Sequence, residues 1–261
     1  MEREPTVSVI IPTYNRSRLV GRAVGSVLAQ TYRQVEAVVV DDGSTDDTAA
    51  VIRRIAAGAS RPVRYVKKPN GGCASARNLG VRHAAGEFVM FLDSDDELLP
   101  EAAESLLGAL LGADADFVYS PSIEVGLNGR TAVGIPAAPG GPERFARDHF
   151  FTLRSRSCCN LFRRGVFDAV RFNEAARYNE DSDFLQRVAI RFQAAYSPRP
   201  TAKVFQHGGN KSSDQRQICR ALVVSYESIL RDHPDFASSL GLRAARRIDR
   251  IKTDLIAVLV R

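Results

Sequence analysis

Four short apolar runs constrain this chain more than any other feature. Residues 7–11, 35–40, 62–66 and 88–92 are rich in β-branched and aromatic side chains, and each is too short for an ordinary helix. The intervals between them carry helical patterns. Leu19, Val20, Ala23, Val24, Val27 and Leu28 form one apolar face, Val51, Ile52 and Ile55 belong to a second helix, and residues 74–85 read as a third. Ser17 is placed to cap the first helix, and Ser44, Thr45 or Asp46 the second. Strands alternating with crossover helices give a Rossmann-like α/β fold: a mainly parallel central sheet with helices on both faces. Ligands of such sheets bind beyond the carboxyl ends of the strands.

Those ends are Pro12-Thr13-Tyr14, Asp41-Asp42-Gly43, Lys67-Lys68-Pro69-Asn70 and Asp93-Ser94-Asp95, all with groups suited to a nucleotide. The fourth run stops abruptly in Asp93, Asp95, Asp96 and Glu97. If extended geometry continues there, Asp93 and Asp95 share a face roughly 7 Å apart. Their hard oxygens suit Mg²⁺ or Mn²⁺. Taken alone, the stretch is equally a solvated acidic turn in which Asp95 or Asp96 caps a helix. Asn70-Gly71-Gly72 offers backbone N–H groups to a phosphate.

Beyond Pro100 the pattern changes. Residues 102–111 read as a helix and 115–120 as a strand, and residues 123–125 and 130–135 pair across Leu127-Asn128-Gly129 as a hairpin. Residues 136–142 form a Pro- and Gly-rich loop, 145–153 a helix and 157–162 a strand. Residues 180–192 carry the helical stripe Phe184, Leu185, Val188, Ala189 and Phe192, opened by Glu180-Asp181-Ser182-Asp183. Acidic residues in a first helical turn are favoured by the helix dipole, which by itself explains that cluster. Residues 203–205 are a short strand leading to His207 and the Gly208–Ser212 loop, and the remainder is helical with a break at His233-Pro234.

A net charge of +6 and a pI near 9.3 favour anionic partners. No long Lys/Arg run interleaved with aromatics supports nucleic-acid binding. Cys73, Cys158, Cys159 and Cys219 lack a zinc spacing and suit free thiols in a reducing compartment. Cys158 and Cys159 are expected to pack, with lining of an acceptor pocket as the alternative, and no Cys-His-acid arrangement marks a nucleophile. Residues 1–6 lead directly into the first apolar run, from which no secretory leader is expected, and no apolar run approaches the ~20 residues that span a bilayer. The expectation is a cytoplasmic protein with an optional peripheral contact at the inner membrane face. Such a contact would use the C-terminal arginines Arg243, Arg246, Arg247 and Arg250; packing on the domain or homodimerisation is the simpler role for that segment.

Four segments occur in order: Ile10-Ile11-Pro12-Thr13-Tyr14-Asn15, Asp41-Asp42-Gly43-Ser44-Thr45-Asp46, Ala74-Ser75-Ala76-Arg77-Asn78-Leu79-Gly80 and Phe91-Leu92-Asp93-Ser94-Asp95-Asp96. Together they closely resemble family 2 glycosyltransferases of the GT-A fold. The resemblance is strong over residues 6–100 and fades after Ser212. It implies metal-assisted, inverting transfer of a sugar from a nucleotide-diphosphate donor, with UDP favoured, to a glycan, lipid-linked or small-molecule acceptor. It further implies that Pro12, Thr13 and Tyr14 surround the base and that Asp42 accepts from the pyrimidine ring. Arg77 would approach the diphosphate or the acidic motif. Asp93 would contact the ribose or metal-bound water, with Ser94 beside it in the donor site and Asp95 on a Mg²⁺ or Mn²⁺ ion that His207 helps to hold. Asp181 would be the catalytic base, ahead of Glu180 and Asp183. The implied organisation is a transferase domain over residues 1–212, with a donor half (1–97) and an acceptor half (98–212), followed by a helical extension (213–261). The rival readings are a sugar nucleotidyltransferase and a non-catalytic nucleotide-sugar-binding protein. Pro12-Thr13-Tyr14 argues against the first, because such enzymes lead with a Gly-rich basic loop at that place.

Overall fold

The computed structural model describes residues 4–134, 141–152, 157–206 and 215–260. In chain order the elements are β1 (Val7–Thr13), α1 (Val20–Leu28), β2 (Val35–Asp41), α2 (Thr48–Gly58), β3 (Val63–Lys67), α3 (Cys73–His83) and β4 (Phe88–Phe91). There follow β5 (Glu97–Leu98), α4 (Ala102–Gly112), β6 (Phe117–Tyr119), β7 (Ser122–Val125), β8 (Thr131–Gly134), α5 (Gly141–Thr152), β9 (Asn160–Arg163) and α6 (Val166–Ala169). The chain ends with α7 (Glu180–Arg191), β10 (Ala194–Tyr196), β11 (Ala202–Phe205), α8 (Gln215–Asp232), α9 (Pro234–Leu240) and α10 (Leu242–Val260).

The seven-stranded main sheet has the order β10-β6-β9-β4-β1-β2-β3. β1 pairs in parallel with both β2 and β4, and β2 with β3. β9 runs antiparallel to both its neighbours, β4 and β6. The sheet is covered on both faces because successive side chains of a strand point opposite ways. Val7, Val9 and Ile11 of β1 pack with α1 and α4, while Ile10 packs with residues of α3 and α7. Continuous apolar runs follow directly from that double burial.

α3 approaches β1 closely at Gly80, where an added Cβ would lie 2.3 Å from Ile10 Cγ2. Gly80→Ala is expected to destabilise by about 1–3 kcal/mol through overpacking. Urea denaturation of the variant checks this, and an unchanged midpoint would contradict it.

Several local expectations are corrected. Ser17 does not cap α1; its backbone N–H instead donates to Asp46 Oδ2 at 3.0 Å. Asp46 does act at the start of α2, where Oδ1 accepts from Thr48 N–H at 3.0 Å. No helix follows the acidic turn directly, because β5 intervenes; Asp96 Oδ1 accepts from Phe205 N–H at 3.0 Å. Residues 157–162 split into a 3₁₀ turn, Ser157–Cys159, and the start of β9. Of the expected loop over 136–142, residues 136–140 lie outside the described residues, and Gly141 and Pro142 begin α5. The hairpin forms as β7 and β8 in a second, four-stranded sheet of order β5-β11-β7-β8. The helical break falls between Asp232 and Pro234 as expected.

A third apolar cluster joins Leu222 and Tyr226 of α8, Leu240 of α9 and Ala244, Ile248 and Ile251 of α10 to Phe150 of α5. Ala244, Ile248 and Ile251 of α10 are thus used for packing, whereas Leu242 at its start is exposed. Among the described residues no helix is long and apolar enough to cross a membrane.

Candidate active site

Register alone brings the site together. Thr13 lies beside Asp41, and Asp41 beside Lys67, so the ends of β1, β2 and β3 are flush. Asp93 follows two residues after β4, whose Phe91 pairs with Ile10. The loops after β1 and β2 are bound to each other: Asn15 N–H donates to Ser44 Oγ at 2.9 Å, and Thr45 N–H to Asn15 Oδ1 at 2.9 Å. Pro12 and Thr13 are buried and Tyr14 is about half exposed. Thr13 Oγ1 is buried without a hydrogen-bond partner, an unsatisfied polar atom at the mouth of the sheet.

The paired aspartates of β2 divide their work. Asp41 anchors the turn, accepting from Ser44 N–H at 2.7 Å and the Tyr65 hydroxyl at 2.6 Å. Asp42 Oδ1 accepts from Lys68 Nζ at 2.6 Å and Gly71 N–H at 2.9 Å, and Oδ2 from Gly72 N–H at 2.7 Å. The amides of Gly71 and Gly72 are therefore spent on Asp42 rather than offered to a phosphate. Gly72, at φ 93, turns the chain into α3.

Arg77 is the hub of the site. It is 2% exposed; Nη2 donates to Asp93 Oδ1 at 2.9 Å and Nη1 to Glu180 Oε1 at 3.1 Å. Its guanidinium carbon lies 5.3 Å from the Phe172 ring centroid. Burial alone would lower its pKa, but Cys73, Asp93, Glu180 and Asp181 hold it well above the usual arginine value. The Asp93 side chain is 39% exposed, and its partial desolvation pushes the carboxyl up; Arg77 opposes this, while Asp95 and Asp181 add to it. Asp95 and Asp181 are thus each close enough to repel Asp93. Ser94 is buried between the two motif carboxylates.

The three acids that open α7 have separate fates. Glu180 is committed to Arg77. Asp183 accepts from Arg187 Nε at 3.0 Å and Ser225 Oγ at 2.6 Å, which fastens α7 to α8. Asp181 accepts only its neighbour's N–H, Ser182 at 2.8 Å, among the described residues. It lines a small cavity with Asn160, Phe91, Phe162, Phe172, Phe184 and Leu185.

Among the described residues no three His, Cys, Asp or Glu side chains converge on one point. Among the described residues, Asp95 with the neighbouring Asp93 could supply carboxylate oxygens to a cation. That set fits Mg²⁺ or Mn²⁺, which are held by one or two carboxylates when substrate phosphates and water complete the shell. The mutual repulsion of the carboxylates is what such an ion would relieve. His207, with Lys211 and Ser212, lies outside the described residues.

Two arginines of the site carried no sequence signal. Arg16 Nη2 lies 3.9 Å from Asp95 Oδ2. Arg22 donates to the Asp95 carbonyl and places its guanidinium 3.8 Å from the Phe205 ring centroid. Lys68 was legible only as part of a basic loop, and its pairing with Asp42 spans 26 residues. Cys158 and Cys159 are buried with their sulfurs 3.8 Å apart, and all four cysteines are free thiols.

Known structures share this architecture. The chain superimposes on residues 1–349 of TarS from S. aureus, solved with UDP-GlcNAc, with a TM-score of 0.71 at 23% identity, covering 96% of this chain and 71% of that one. The mannosyltransferase PcManGT from Pyrobaculum calidifontis, solved with GDP-Man and Mn²⁺, gives 0.69 at 22% identity over 99% and 76%. The fold is therefore of the GT-A type. The sequence profile of glycosyl transferase family 2 matches residues 8–171, and the chain belongs to that family. The hyaluronan synthase of Pasteurella multocida is 44% identical over 111 residues, which is 42% of this chain and 11% of that protein. A chondroitin synthase of Escherichia coli is 43% identical over 107 residues, 41% of this chain and 16% of that protein. The matches to these relatives thus cover a small part of their length.

Proposed function

We propose that the chain transfers a sugar from a nucleotide-diphosphate donor, with UDP favoured, to an acceptor hydroxyl, inverting the anomeric centre in a single displacement. The observation that carries this is the state of Asp181. It is the one acid at the start of α7 not paired with an arginine, and it stands within electrostatic reach of Asp93. In the proposed mechanism Asp181 accepts the proton of the acceptor hydroxyl as that oxygen attacks from the face opposite the leaving group. Thr13 and Tyr14 contact the base. Asp42 reads it with the acceptor capacity left after Lys68, Gly71 and Gly72. Arg77 fixes Asp93 so that Asp93 and Asp95 can hold Mg²⁺ or Mn²⁺. When bound, that ion neutralises charge on the leaving diphosphate.

The division into a donor half (1–97), an acceptor half (98–212) and a helical extension (213–261) belongs to the same proposal. Relatives named for hyaluronan and chondroitin synthesis support a glycan acceptor. The exposed Arg243, Arg246 and Arg250 of α10 support a peripheral contact with an anionic surface at the cytoplasmic face.

The test is a panel of UDP- and GDP-sugars with Mn²⁺ and oligosaccharide acceptors, read by release of nucleoside diphosphate and by NMR of the product. The expected product has the anomeric configuration opposite to the donor's. A retained centre would defeat the single-displacement mechanism.

A further inference from the structure

The two motif carboxylates after β4 are countered by arginines in different ways. Arg77 meets Asp93 at 2.9 Å, has a side chain only 3% exposed and is held from behind by Glu180. Arg16 lies 3.9 Å from Asp95 with a third of its side chain in solvent. An ion pair of that kind has little net strength. The backbone beneath Arg16 is nevertheless fixed. Its N–H donates to Thr48 Oγ1 at 3.0 Å, and Asn15 before it sits at φ 50 with its side chain bound to Thr45. Arg22 holds the main chain at Asp95 independently.

We propose that Arg16 is an exchangeable counter-ion: it covers Asp95 when no divalent cation is bound, yields that carboxylate to the metal, and then turns to the diphosphate of the donor. This rests on the metal and donor reading above. A guanidinium and a divalent cation compete for one carboxylate and repel each other, so the weakly held Arg16 is the group displaced. Arg77 is not exchangeable, because its departure would strand two acids, one of them buried. The displaced Arg16 remains tethered to the loop after β1, at the mouth of the nucleotide site. There a diphosphate offers it a stronger partner than Asp95 did. Arg16 therefore opposes metal binding alone and favours nucleotide binding once metal is present, which couples the two ligands.

The test uses Arg16→Gln with Arg16→Lys and Asp95→Ala alongside. Mn²⁺ binding to the protein alone is followed by EPR of the free ion, and binding of UDP and GDP at saturating Mn²⁺ by calorimetry. Removing an exposed ion-pair competitor should tighten Mn²⁺ binding about two- to fivefold in Arg16→Gln. Loss of a charged contact to phosphate should weaken nucleotide binding about tenfold or more. Arg16→Lys should fall between Arg16→Gln and wild type on both measures. Unchanged or weaker Mn²⁺ binding in Arg16→Gln, or unchanged nucleotide binding, overturns the proposal. If instead Asp95→Ala and wild type bind Mn²⁺ and nucleotide alike, the metal-site assignment itself has failed.

Discussion

Asp181→Asn should lose sugar transfer by about 10³-fold while still binding the donor nucleotide, because general-base catalysis contributes roughly 10²–10⁴. The substitution is close to isosteric. The amide oxygen can still accept the Ser182 N–H bond, the one hydrogen bond Asp181 makes among the described residues, so the start of α7 should keep its form. Calorimetry with UDP and Mn²⁺ should return an affinity close to wild type. Nucleoside diphosphate release in the presence of acceptor should be nearly abolished. Near-wild-type turnover would remove Asp181 as the base and favour a role in binding alone. The same substitution at Asp183 should act differently. Asp183 is tied to Arg187 and Ser225, so its loss loosens the α7–α8 contact and shows first as lower stability.

The parts of the site legible in the sequence are those that local pattern controls. Apolar runs ending in Thr13, Asp41 and Asp93 predict strands, and a parallel sheet places their ends together without further information. The resemblance singles out Asp181 as the proposed base, and the partners of Glu180 and Asp183 set those two apart from it. Partner choice across long separations was not legible. Arg77 and Glu180 are 103 residues apart, and nothing in either local stretch announces the bond between them. Asp42 illustrates the same limit. An acid at a strand end reads as a ligand-binding group, but its contacts to Lys68, Gly71 and Gly72 depend on how the loop after β3 folds back. The reversed direction of β9 was also hidden, because a four-residue strand has no periodicity that encodes its direction.

Arg77→Met should be the most destabilising substitution in the site. The guanidinium joins the acidic end of β4 to the start of α7, and methionine keeps much of the apolar volume while deleting both ion pairs. Glu180 and Asp93 would then lose the Arg77 guanidinium between them, and the Glu180 side chain is only 11% exposed. Breaking a buried pair by removing one partner costs about 3–5 kcal/mol. Asp93 is 39% exposed and recovers hydration, so its share is discounted and about 3 kcal/mol is expected. For a chain of this size that corresponds to a fall in Tm of roughly 6–12 °C. The double variant Arg77→Met/Glu180→Gln separates the stranded charge from the lost packing. If the cost comes from leaving Glu180 ionised without Arg77, neutralising it should restore a substantial part of the stability, whereas Glu180→Gln in the wild-type background should itself be destabilising. A double variant no more stable than Arg77→Met would assign the loss to packing against Phe172 instead. Nucleotide binding supplies a second readout. With Arg77 absent, Asp93 is no longer held beside Asp95, so metal-dependent UDP affinity should fall in both variants even where stability recovers.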